Sequence, residues 1–126
     1  MSKNKNLIIF LSALAVLIII LVSWGIYDAR TPGQYDKLAK CLTEKGAKFY
    51  GAFWCSHCNN QKDMFGKSAK YLPYIECSTP DGRGQKTECG QQGVSSYPTW
   101  EFPDGTRVSG EITPDKLAEK AGCEIN

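Results

Sequence analysis

Hydrophobic and polar positions follow three different patterns along the chain. From residue 7 to residue 27 no charged side chain interrupts a run of mostly Leu, Ile, Val and Ala. A helix of about 20 such residues matches the roughly 30 Å hydrocarbon thickness of a bilayer. Trp24 and Tyr27 stand at its C-terminal edge, where amphipathic rings favour the headgroup level. Beyond Thr31-Pro32-Gly33 the pattern changes. Tyr35, Leu38, Ala39 and Leu42 recur at helical spacing until Gly46 ends them. Residues 47–54 are aromatic and small, and predict a buried strand. Residues 56–72 carry Met64, Phe65, Ala69 and Leu72 on one side and stop at Pro73, which predicts a single helix. A short strand over 74–77 and a loop over 79–85, rich in Gly and Pro, follow. A short helix is then expected over 87–92. Thr99 to Phe102 and Thr106 to Ser109 flank Asp104-Gly105, the signature of a hairpin. A last helix opens with Thr113 at its N-cap and Pro114 at its first position.

The apolar run divides the chain into an N-terminal segment (1–6), an anchor (7–27), a linker (28–34) and one folded domain (35–126). A cleaved signal peptide and a buried core helix compete for the same run. The length of the stretch, and the bulky residues in the nearest candidate cleavage frames, favour a retained anchor. Lys3 and Lys5 on one flank are answered by Arg30, Lys37, Lys40 and Lys45 on the other, so charge counting leaves the orientation open.

Composition narrows the domain's role. The net charge of +2 comes wholly from Lys3 and Lys5, because basic and acidic residues balance from residue 28 onward. A nucleic-acid-binding surface is not expected. All six cysteines lie in the domain, an even number that suits an oxidising compartment. With residues 1–6 cytoplasmic, the expected arrangement is a single-pass membrane protein whose C-terminal domain is extracytoplasmic.

Trp54-Cys55-Ser56-His57-Cys58 falls where the first strand runs into a helix. The first sulfur there would meet unsatisfied backbone N–H groups and the positive end of the helix dipole, and both favour a thiolate. His57, when charged, would add to this effect. Cys55 is therefore the expected nucleophile, with Cys58, one helical turn later, resolving the mixed disulfide. No metal or cofactor is required. Half of a zinc site is the competing assignment for this pair, although no second Cys-x-x-Cys is present. His57 as a merely solvated helix-start residue competes with its electrostatic role. Cys77 and Cys89 bracket the 79–85 loop, and Cys41 and Cys123 lie near the two ends of the domain. A disulfide is expected for the first pair, and the second could form one only if its Cα atoms approach within about 7 Å, which the sequence leaves open; free buried thiols are the alternative for both. Tyr97-Pro98-Thr99 precedes a strand, where proline is often just a ladder terminator. Trp54 is a candidate contact surface.

Taken together, residues from about Cys41 to Gly122 resemble the thioredoxin superfamily. Tyr50-Gly51-Ala52-Phe53-Trp54-Cys55-Ser56-His57-Cys58, Phe65-Gly66, Tyr74-Ile75-Glu76-Cys77, Cys89 and Tyr97-Pro98-Thr99-Trp100-Glu101 are similar to the thioredoxin-like domain associated with bacterial vitamin K epoxide reductase homologues. The resemblance implies a thioredoxin-like α/β fold, a mixed sheet flanked by helices, here preceded by one transmembrane helix. It implies a cis Pro98 beside the cysteine pair, with Trp54, Tyr97 and Pro98 contacting an extended substrate. It also implies a Cys77–Cys89 bridge and a DsbA-like disulfide carrier that oxidises exported proteins and is reoxidised by a quinone-linked membrane enzyme. No multi-helix reductase segment is present in this sequence, so that partner is expected to be a separate chain. Ser56 stands where many oxidising relatives have Pro, and Phe49 where thioredoxin has a buried acid. An anchored reductase of the cytochrome-maturation type, and a non-catalytic thioredoxin-like binding module, are the competing functions.

Overall fold

The computed structural model describes residues 2–125, which form two units, one up to Thr31 and one from Pro32 onward. The first is a single helix, α1 (Ser2–Arg30), longer than the apolar run and continuing through residues 28–30. Its apolar side chains are exposed all round, with a mean hydropathy of 3.0 over its most apolar window. A helix with no polar face has no way to be half-buried on a domain surface, and by length and composition it is a candidate membrane span.

The second unit holds α2 (Asp36–Glu44), β1 (Lys48–Gly51), α3 (Ser56–Asp63), a 3-10 helix (Gly66–Tyr71), β2 (Tyr74–Glu76), α4 (Thr87–Gln91), β3 (Thr99–Glu101), β4 (Arg107–Ser109) and α5 (Pro114–Ala121). The four strands make one mixed sheet in the order β2-β1-β3-β4. β1 pairs in parallel with β2, as the helical crossover requires, and antiparallel with β3, which pairs antiparallel with β4 through the Asp104-Gly105 hairpin. This is the expected thioredoxin-like architecture of a mixed sheet with flanking helices.

Side chains alternate across β1. Phe49 stacks on Trp100 with ring centroids 4.7 Å apart and meets the edge of Tyr74 at 5.1 Å. This face is packed with Leu38, Leu42, Phe65 and Leu117 into the main core. Tyr50 points the other way, into a smaller cluster with Cys77, Cys89 and Val94.

Three expectations need correction. The first strand ends at Gly51 rather than running to Trp54, because the chain turns there: the Cys55 N–H donates to the Ala52 carbonyl at 3.0 Å. The single helix expected over 56–72 is two. α3 stops after Asp63, and Gly66, at φ +51°, begins the separate 3-10 helix. Thr113 occupies the N-cap position of α5 with extended backbone, but its side chain makes no capping hydrogen bond. The other end of α5 is closed by Gly122 in the left-handed region and by Lys45, whose ammonium donates to the Ala121 and Gly122 carbonyls at 3.1 and 2.6 Å.

Candidate functional site: a dithiol at a helix start

The turn after β1 delivers Cys55 to the N-cap of α3. Its sulfur takes the place of the usual capping oxygen and accepts the Cys58 N–H at 3.2 Å. Cys58 follows one turn into the helix, and its Sγ lies 2.7 Å from Cys55 Sγ as a thiol hydrogen bond. These two are the free cysteines of the described chain. Cys55 keeps 7% of its surface exposed and Cys58 none, so an incoming group reaches Cys55 first. Burial pushes the Cys58 thiol up to about 12, and its hydrogen bond to Cys55 adds to the rise. Cys58 approaches β1 closely. A Cβ on Gly51 would stand 3.1 Å from Cys58 Sγ and 2.6 Å from the Tyr74 ring, so only glycine leaves room for the pair.

Around Cys55 the surface is aromatic. Phe53 and Trp54 are about half exposed, the large apolar side chains left uncovered among the described residues of this unit. The Trp54 indole N–H donates to Ser78 Oγ at 2.9 Å, and its ring meets Tyr97 edge-on at 6.1 Å. The Tyr97–Pro98 peptide is cis. Tyr97 is held from outside by Gln85, whose amide donates to the Tyr97 hydroxyl and to the Val94 carbonyl, both at 2.7 Å. Trp100, by contrast, is fully buried and belongs to the core.

His57 projects from the first turn of α3 and meets a residue that sequence reasoning missed. Its Nδ1 lies 2.6 Å from Glu111 Oε1, which also accepts from the Asn60 amide at 3.2 Å. These contacts hold the Glu111 carboxyl below the ordinary carboxylate range, His57 first and Asn60 second. Glu111 lies in an irregular segment far along the chain from α3, so no periodicity or spacing links it to His57. Gln61, also missed, is fully buried in α3 and bonds the backbone of the neighbouring Ile112. The remaining four cysteines are paired. Cys41–Cys123 has its Cα atoms 6.0 Å apart, and Cys77–Cys89, closing the 79–85 loop, 5.7 Å.

No known family scanned against the chain matches it. Individual proteins do. The chain is 47% identical over 94 residues to thiol-disulfide oxidoreductase LTO1 of Arabidopsis thaliana, covering 71% of this chain and 24% of that protein. It is 34% identical over 86 residues to protein disulfide isomerase-like 2-1 of Oryza sativa subsp. japonica, covering 61% of this chain and 23% of that protein. The chain thus spans about a quarter of the length of these curated relatives. Its mixed sheet, flanking helices and dithiol at a strand-to-helix turn make the folded unit thioredoxin-like, and its similarities are to proteins named for thiol–disulfide chemistry.

Proposed function

We propose that the protein is a membrane-anchored thiol–disulfide oxidoreductase that donates disulfides to cysteines of exported proteins. The observation that carries this reading is the pair of sulfurs 2.7 Å apart, one capping a helix and partly exposed, the other buried behind it. In the oxidised form a substrate thiolate attacks Cys55 Sγ, the Cys55–Cys58 bond breaks, and Cys58 leaves as a thiolate that takes up a proton. A second substrate thiolate then attacks the substrate sulfur of the mixed disulfide. The substrate leaves oxidised, and Cys55 departs as a thiolate received by the Cys58 N–H and the helix start. Trp54 and Tyr97 form the substrate contact, their rings meeting edge-on where an extended peptide can lie, whereas Pro98, expected to share it, is fully buried with its carbonyl taken by the Gly110 N–H at 2.9 Å and supports the site from beneath.

The oxidising direction is favoured by the helix start, whose Cys58 N–H is directed at the Cys55 sulfur. Two further disulfides in so small a domain suit an oxidising compartment, which supports an extracytoplasmic domain on a retained anchor. Regeneration requires an electron acceptor, proposed to be a quinone-linked membrane enzyme of the vitamin K epoxide reductase type acting as a separate chain. One observation favours the reductive alternative. His57 directs its Nδ1 at the Glu111 carboxylate, 2.6 Å away, so the ring is engaged there rather than with Cys55.

Trapping tests the reading. Cys58→Ser in the native membrane should accumulate mixed disulfides through Cys55 with exported proteins, and the wild-type reduction potential should lie nearer −120 mV than −270 mV. A potential near −270 mV would establish the reductase instead. An absence of any Cys55 adduct would leave only a binding module.

A further inference from the structure

Exchange at this site requires a proton to leave and return to Cys58, yet the sulfur is fully buried and the β1 residues on its face, Phe49 and Gly51, carry no ionisable group. The neighbouring strand supplies an alternative. The parallel register sets Tyr74 beside Phe49 and Glu76 beside Gly51, so both side chains emerge on the face where Cys58 packs. The Tyr74 ring and Cys58 Sγ converge over Gly51, within 2.6 and 3.1 Å of the point a Cβ would fill. The Tyr74 hydroxyl donates to Glu76 Oε2 at 2.7 Å, while Glu76 Oε1 is fixed by the Ser78 N–H at 2.8 Å and the Phe53 N–H at 3.3 Å. Lys62, one helical turn after Cys58 on α3, places its ammonium 3.4 Å from the centre of the Tyr74 ring.

We propose that Glu76 is the proton acceptor and donor for Cys58, acting through the Tyr74 hydroxyl, with Lys62 stabilising the Cys58 thiolate. When Cys58 ionises, its proton passes across one water to Tyr74 Oη as the Tyr74 proton passes to Glu76 Oε2. The products are a Cys58 thiolate and a neutral Glu76 carboxyl, and Tyr74 ends as it began. When Cys58 is expelled from its disulfide the same steps run backwards. Burial first, and the Glu76 hydrogen bond second, raise the Tyr74 hydroxyl above its ordinary value, so Tyr74 hands a proton on without holding the negative charge. The ionisable groups facing Cys58 are Cys55 and Lys62 from its own helix and Tyr74 from β2, while Phe49 and Gly51 on β1 offer none.

This inference rests on the dithiol reading, and one experiment separates the two. The reduced full chain in detergent is mixed with an excess of the aromatic disulfide 5,5′-dithiobis(2-nitrobenzoate). Attack by Cys55 releases one thionitrobenzoate and leaves the other on Cys55. Attack by Cys58 on that mixed disulfide then releases the second and closes Cys55–Cys58. Tyr74→Phe and Glu76→Gln should each leave the first release unchanged and slow the second about tenfold or more near neutral pH, the gap closing in alkali as hydroxide takes over. Lys62→Met should shift the second release to higher pH, and Lys62→Arg should restore it. Glu76→Gln keeps an acceptor for the Ser78 and Phe53 amides, so it carries the test if Tyr74→Phe does not fold. A second release that matches wild type at every pH in both variants overturns the inference. Absence of the first release overturns the dithiol reading beneath it.

Discussion

Gln61 closes a two-point amide clasp on the backbone of Ile112. Its Oε1 accepts the Ile112 N–H at 2.7 Å and its Nε2 donates to the Ile112 carbonyl at 2.9 Å, while the Trp100 indole N–H donates to the same Oε1 at 3.3 Å. The clasp ties the segment that carries Glu111 to the helix that carries the dithiol. Gln61→Leu keeps the bulk but strands the Ile112 amide and the Trp100 indole N–H away from water. Its cost should be about 3 kcal/mol, read as a lowered denaturation midpoint in urea. A change below about 1 kcal/mol would mean that the segment finds other partners.

Gly51→Ala tests the close approach between β1, Tyr74 and Cys58. The added methyl would overlap the Tyr74 ring, so either the ring or the strand must shift. Destabilisation of about 1–3 kcal/mol is expected, together with slower closure of the Cys55–Cys58 bond. Native stability with native closure kinetics would show that the crowding is absent in solution.

The two cross-links should differ in weight. Cys41–Cys123 spans a sequence separation of 82 and Cys77–Cys89 one of 12. In the chain-entropy account the longer loop contributes about 4.5 kcal/mol and the shorter about 3 kcal/mol. Paired Cys→Ala replacements, followed by chemical denaturation, should therefore show the larger loss for positions 41 and 123. The reverse order would mean that local distortion outweighs loop entropy.

Glu101 sits between two cations on neighbouring strands, 2.9 Å from Lys48 Nζ and 2.7 Å from Arg107 Nε. Its carboxyl is held below the ordinary glutamate value, chiefly by the Lys48 hydrogen bond. A depressed folded-state value contributes stability above the unfolded value, near 4.3, and that contribution fades as pH falls through the folded value. Wild type should exceed Glu101→Gln by about 1 kcal/mol at pH 7. The difference should shrink progressively below pH 5, as followed by thermal unfolding at a series of pH values. A gap that is constant down to pH 3 would remove the ionised carboxylate from the explanation.

Local chemistry made much of this molecule readable from its residues. Phe49 and Tyr50 marked a buried strand, although it ends at Gly51 and leaves Phe53 and Trp54 half exposed, and Pro114 and Asp104-Gly105 marked a helix start and a hairpin. The helix expected through Leu72 broke at Gly66 because a periodic apolar stripe looks the same whether or not one residue inside it takes positive φ. Glu111 was invisible for a different reason: only the clasp on Ile112 sets it against His57, and that contact depends on tertiary packing. Tyr74 and Glu76 could be named as matching a family pattern, but the approach of the Tyr74 ring to Cys58 depends on the parallel register of β1 and β2.

The bond between Cys41 and Cys123 turns most of the folded unit into a covalent ring. A protease that nicks an exposed stretch between those positions would yield two fragments still travelling as one species. They would part only on reduction and unfolding, and a nick between Cys77 and Cys89 would leave two bonds to reduce rather than one.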